Sequence, residues 1–228
     1  MAKRIGKYKI SEQEAAYSLA DGNNFVSTLS SAGAATFSGT IEADGVITAT
    51  AGIKGPAVSG TGPGLAGTGT APSQQITTYN DEIITTTKID LTGLKKKSDI
   101  GDVIGKDGTN SAYIAIYSAA THGILHKIEI SCVELPTATN ALRDFDLIAH
   151  STTTLTYDND AAAAGTSMTA MDGDIALGQT YQSYDGATAI VGQPTEGQAI
   201  YLAEGATSGD NVFTAGMIII KMFGHKTF

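Results

Sequence analysis

What this chain lacks narrows it first. Tryptophan is absent, aromatic residues make up 7% of the chain, and Cys132 is the one cysteine among 228 residues. A single thiol cannot form an intramolecular bridge, and a chain this long can bury a core without one. The alternating neighbours of Cys132 place it in a strand as a buried, inert thiol. Charge is scarce as well: Asp, Glu, Lys and Arg are 16% of residues, against roughly a quarter in ordinary globular domains. Acidic side chains outnumber basic ones by 23 to 14, for a net charge of −9. Such a field repels phosphate, whereas a duplex-binding surface needs clustered Lys and Arg to release counterions, so no nucleic-acid partner is expected. The longest apolar run, Met217 to Phe223, fits a strand and is too short for a bilayer. No cationic segment leads into an apolar stretch and a small-residue cleavage site, so neither a signal peptide nor a membrane partner is expected.

Catalytic patterns are missing too. No Gly-x-Ser-x-Gly elbow occurs in a strand-to-helix context. The four histidines, His122, His126, His150 and His225, are scattered, and no His/Cys spacing suits zinc. Gly55 to Gly69 resembles a phosphate-cradling loop only until its end, where Thr70-Ala71-Pro72 stands in place of Lys and Ser or Thr. Asp158-Asn159-Asp160 and Asp172-Gly173-Asp174 set oxygen atoms at alternate positions, as calcium loops do, yet neither runs on to a closing Glu. Asx side chains in turns give the same pattern, so no metal and no cofactor is expected. A glycan hydrolase needs a carboxylate pair across a groove, and the acidic residues sit mostly in Asx-Gly turns. The expectation is a protein that is not an enzyme and has no catalytic residue.

What is present falls into four textures. Residues 1–22 open with Lys3, Arg4, Lys7 and Lys9 in an otherwise acidic chain. Ser11 and Glu14 form a capping-box pattern and Gly22 a stop, which predicts one short helix through Leu19. Too short to hold alone, it must dock, with Tyr17, Leu19 and the four cations as docking side chains against an acidic protein surface. Residues 23–54 are rich in Ala, Thr, Ser and Gly, with a hairpin expected about Asp44-Gly45. Phe37, Ile41, Val46 and Ile47 are too few to close a core in one chain, so this extended β arm or stalk is expected to pack among copies. Residues 55–74 read as a flexible Gly/Thr/Pro tether.

Residues 75–228 read as a β domain. Ile124 to Glu134 alternates with period two, placing Ile124, Ile128, Ile130 and Cys132 with His126 on one face and Lys127, Glu129 and Ser131 on the other. Tyr113–Tyr117, Phe145–Ala149, Ala199–Ala203 and Met217–Phe223 are further strands, and Ile218-Ile219-Ile220 suggests a central strand covered on both faces. Asp107-Gly108, Asp172-Gly173 and Asp185-Gly186 mark turns. Many short strands without long helices between them indicate a mainly β fold, a sandwich or jelly roll. Lys95-Lys96-Lys97 reads as a solvated turn guarding an edge. Tyr113, Tyr117, Tyr157, Tyr181, Tyr184 and Tyr201 are either core residues or ring platforms for host glycans.

The opening Met1 to Ser11, with Ala15 to Gly22, resembles the start of small virion structural proteins of tailed phages. Phe37 to Ile47 is similar to repeats in phage fibres and head decorations, and Ile100–Gly105, Ser131–Pro136, Asp144–Ile148 and Phe213–Gly224 resemble the same group. The resemblance implies a trimer on a phage particle. Its leading form is a capsid decoration or cement protein at the virion surface, bound to the major capsid protein through residues 1–22. A receptor-binding fibre or tail component touching host glycans is the alternative.

Overall fold

A computed structural model of the chain describes residues 13–18, 24–29, 35–37, 60–97, 99–139, 143–169, 171, 173–183, 192–206 and 209–226. It divides into two compact units, Met1–Ile53 and Lys54–Phe228. In the first, β1 (Gln13–Ser18), β2 (Asn24–Leu29) and β3 (Ala35–Phe37) form an antiparallel sheet in that order. Glu14 lies opposite Thr28, and Tyr17 opposite Phe25. This corrects the helix expected through Leu19. A capping box is a local signal of about 1 kcal/mol, and so short a helix has no cooperative reserve. Pairing with Asn-Phe-Val-Ser-Thr-Leu, a strand of β-branched and aromatic residues, satisfies the same backbone groups across the sheet. The hairpin expected at Asp44-Gly45 lies outside the described residues.

The second unit is mainly β. Its strands are β4 (Ser73–Tyr79), β5 (Glu82–Asp90), β6 (Lys95–Lys96), β7 (Tyr113–Ile116), β8 (Ile124–Thr137), β9 (Phe145–His150), β10 (Thr166–Thr169), β11 (Thr180–Ser183), β12 (Ala199–Glu204), β13 (Asn211–Val212) and β14 (Ala215–His225). One single-turn helix, α1 (Ala119–His122), stands between β7 and β8. The strands from β5 onward pair from the outside in: β5 with β14, β7 with β12, β8 with β11, and β9 with β10. Two further pairings, β8–β14 and β9–β12, gather them into sheets ordered β11-β8-β14-β5-β4 and β10-β9-β12-β7. Every pairing is antiparallel. β4 joins through a hairpin that closes at Tyr79–Glu82, with Asn80 at φ +53°, as a primed two-residue turn demands. β6 and β13 form a small separate ladder.

One hydrophobic cluster draws Ile128, Ile130, Ile218, Ile220 and Met222 from the five-stranded sheet and Phe145, Leu147, Ile200 and Leu202 from the four-stranded one. Cys132 lies in it as a free, buried thiol. Along β14 buried and half-buried residues alternate, so this central strand has one closed face, not two. Three consecutive isoleucines hide an ordinary alternation, which Lys221 and Phe223 on the outer row reveal. β12, by contrast, is buried at every position. Tyr201 Oη donates to Thr152 O at 2.8 Å and accepts from Leu155 N at 3.2 Å, which brings the loop after β9 over that sheet.

The expected tether is corrected for the residues described. Gly62 N donates to Tyr113 O, Gly64 N to Ser111 O and Thr68 N to Thr92 O, and Leu65 is fully buried. A Cβ on Gly64 would stand 2.3 Å from Asn110 O, and one on Gly67 2.2 Å from Thr92 O. The glycines are there because backbone packs directly on backbone, a requirement that composition alone does not distinguish from slack.

Candidate interaction surface

The outer face of the five-stranded sheet is an organised surface that the described residues leave partly exposed. Strand register fixes its rows, since cross-strand partners share a face. β8 contributes Lys127, Glu129 and Ser131, β14 contributes Ile219, Lys221 and Phe223, and β5 contributes Ile84, Thr86 and Lys88. These side chains are tied to one another. Gln182 Nε2 donates to Glu129 Oε1 at 3.0 Å, the Lys127 ammonium meets the same carboxylate oxygen at 2.6 Å, and the Ser131 and Thr180 hydroxyls are 2.9 Å apart. Lys127 also sits 4.8 Å from the centre of the Phe223 ring.

At one end of this face three strand ends meet. His126 at the start of β8 and His225 at the end of β14 stack with ring centres 4.3 Å apart, and Glu82 Oε1 approaches His126 Nε2 at 3.5 Å. Burial, and then the neighbouring His225, hold the His126 pKa below the ordinary histidine value, while Glu82 opposes them. His225 lies opposite Glu82 of β5 on one side and, beyond a register shift between Phe223 and Gly224, opposite Ile124 of β8 on the other. The scattered histidines of the sequence thus include one assembled pair. The signal that could have found it was the pairing of β8 with the last strand, β14, which no local motif encodes.

The other candidate residues land in structural roles. Asp160 Oδ1 accepts from the amides of Ala162 and Ala163, Asn159 Oδ1 from Thr156, and Asp174 from the Arg143 amide. Asp158 faces Lys97 at 3.4 Å, and Asp172 lies outside the described residues. Among the described residues no cluster of three or more His, Cys, Asp or Glu is placed to hold a metal ion. Ser118, His122 and Glu196 have triad composition but not triad geometry. Ser118 presents its amide to His122 Nδ1 at 3.1 Å, and Glu196 accepts from the Ala119 amide at 3.0 Å, so the three secure α1.

The Lys95–Lys97 turn is also corrected. Lys96 is fully buried and its ammonium lies 2.9 Å from Glu204 Oε1 at the end of β12, while Lys95 and Lys97 remain half-exposed. Of the tyrosine platforms, Tyr117 and Tyr201 are buried, Tyr113, Tyr157 and Tyr181 are partly buried, and Tyr184 is not described. Tyr79, which the sequence did not single out, is 72% exposed. Of the docking and packing residues, Tyr17 lies in β1 and Phe37 in β3, opposite Ser27. Lys3, Arg4, Lys7, Lys9, Leu19, Ile41, Val46 and Ile47 lie outside the described residues.

No helix among the described residues is long and apolar enough to cross a membrane. Comparison with protein-family models, curated proteins and solved structures finds no match for this chain.

Proposed function

We propose that the chain is a non-enzymatic structural protein of a tailed-phage particle, a capsid decoration or cement protein that binds the major capsid protein through residues 1–22 and acts as a trimer at the virion surface. The observation that carries the architectural part is the strand order. Eight of the strands pair first with last, second with seventh, third with sixth and fourth with fifth, a pattern that supports a jelly roll, an architecture shared by viral capsid and lectin domains. Fold does not fix function. The assembly role rests on the phage-like segments and on the sparse apolar side chains of residues 23–54, where Phe37, Ile41, Val46 and Ile47 gain cover from neighbouring copies. Lys3, Arg4, Lys7 and Lys9 supply charge complementary to an acidic shell. Each bound copy stabilises the assembled shell by mass action. Nucleic acid and membrane have no part in this reading.

The test is co-sedimentation of the full chain, and of a form lacking residues 1–22, with shells assembled from the major capsid protein. The truncated form is expected to lose binding while the second unit keeps its thermal transition. Binding that survives the truncation overturns the docking role.

The alternative, a receptor-binding fibre or tail component, has one feature in its favour. His126, His225 and Glu82 gather ring faces and a carboxylate at an exposed sheet end, groups that suit a sugar hydroxyl array. Glycan-array binding lost on His225→Ala, with no binding to shells, would favour it.

A further inference from the structure

A free sheet edge offers unpaired N–H and C=O groups to another strand, and chains blunt such edges with charge, proline, bulges, shortness or a covering segment. Three of the four edges of the two large sheets are blunted. The edge beside β7 is taken by Gly62 and Gly64, whose amides donate to Tyr113 O and Ser111 O at 2.7 and 2.8 Å. β10 is four residues long and irregular between Ser167 and Thr169. β11 is four residues long.

Among the described residues, β4 has none of these defences. It is seven residues, Ser-Gln-Gln-Ile-Thr-Thr-Tyr, without charge or proline, in unbroken register with β5 from Ser73–Lys88 to Tyr79–Glu82. Among the described residues no backbone hydrogen bond outside that ladder reaches 73–79. The direction of its free groups follows from the hairpin. The closing pair of a two-residue hairpin exchanges both hydrogen bonds, and every second pair after it does likewise. Tyr79, Thr77, Gln75 and Ser73 therefore bond to β5, and Gln74, Ile76 and Thr78 turn N–H and C=O away from it.

We propose that β4 is a seam between copies of this chain, pairing antiparallel with β4 of a second copy about a two-fold axis at Ile76. In that register Ile76 faces its own counterpart and Gln74 faces Thr78, so both outward groups of all three residues are satisfied. No other register centred on the strand pairs its whole length. The exposed Tyr79 ring, the most exposed of the large apolar side chains described, comes to lie against Ser73 of the second copy.

Charge adds a weak bias toward the antiparallel arrangement. β5 sets Lys88 beside Ser73 and Glu82 beside Tyr79, so the two-fold aligns the Lys88 end of one copy with the Glu82 end of the other. A parallel arrangement would set Lys88 against Lys88. The separation, three strand spacings or about 14 Å, exceeds the screening length at physiological salt, so this pairing orients more than it binds. The seam stands apart from the virion reading: it joins two monomers, or two trimers if residues 23–54 trimerise.

The experiment measures the mass of the full chain by sedimentation velocity across a concentration series, alongside two variants. Gln75→Lys/Thr77→Lys sets like charges directly opposite each other in the proposed register. Thr78→Pro deletes one outward N–H and leaves the β5 ladder whole. At high concentration the wild-type mass is expected to be twice that of either variant. The Gln74, Ile76 and Thr78 amides are expected to exchange slowly with solvent in the wild type and quickly after dilution. The factor of two reports on the seam, and the mass of the variants reports separately on trimerisation. Equal masses, or exchange at those three amides that ignores dilution, overturn the proposal. The dilution arm uses the wild type alone, so it reads the seam even where a variant fails to fold.

Discussion

The two large sheets of the second unit treat their outer sides in opposite ways. The four-stranded sheet is closed: every residue of β12 is buried, and the loop after β9 is fastened to it through the Tyr201 hydroxyl. The five-stranded sheet is open, and its outer rows set hydroxyl, amide and charged side chains that bond to one another beside Ile84, Ile219 and Phe223. Both are built from antiparallel strands set off by turns, so the pattern of a strand does not say whether its outer side is roofed. What differs is chain length between strands. The β9–β10 connection is long enough to fold back over a sheet, whereas the β4–β5 hairpin is tight.

This contrast sets where substitution should hurt. Lys96→Met is expected to be the most damaging change, because it strands the Glu204 carboxylate in the closed region, where breaking a buried ion pair costs about 3–5 kcal/mol. Lys96→Met/Glu204→Leu should recover most of that loss in urea unfolding. A single variant as stable as wild type would show that this region is wetter than its burial implies. Tyr201→Phe removes the hydroxyl that ties the roof to β12 and should cost about 1–2 kcal/mol, with faster amide exchange at Leu155 as its local signature.

Asp146 gives a pH test of the same closed side. Burial, with Asp144 adding to it, raises its pKa to about 6. A carboxyl raised above its unfolded value contributes stability at low pH that is lost as pH rises through the folded pKa. Asp146→Asn, which keeps the acceptor for the Met171 amide, should therefore gain on the wild type between pH 4 and pH 7. The expected gain is about 1 kcal/mol after discounting for partial exposure. A constant difference across that range would place the carboxylate in water. On the open face Lys127→Ala should change stability least, by about 0.5 kcal/mol or less, despite its two contacts. A larger loss there would mean that the open face is braced as firmly as the closed one.

The strands at 124–134, 145–149, 199–203 and 217–223 were legible because each carries its period or its apolar run within its own residues, and the turn at Asp107-Gly108 because Gly108 holds φ at +133°. Four features were not legible. Ser11 and Glu14 carry a helix signal that cross-strand pairing overrides. The glycines from 60 to 69 look slack, yet several fill places with no room for a Cβ. The His126–His225 stack joins β8 to β14, far apart in the chain, and Lys96 is buried against a partner, Glu204, that is also remote in sequence. In the candidate surface, single rows such as Lys127-x-Glu129-x-Ser131 were visible, but their neighbours across the sheet were not.

By itself, the sequence determined that this domain is built from strands, where most of them lie, and that its single thiol is sealed inside. Those properties follow from side-chain period and turn chemistry, which act over a few residues. Only the tertiary structure decided which strand meets which, which sheet is roofed, which lysine is buried and which edge stays open. Each of these depends on contacts between segments far apart in the chain, where packing and backbone pairing outweigh local preference.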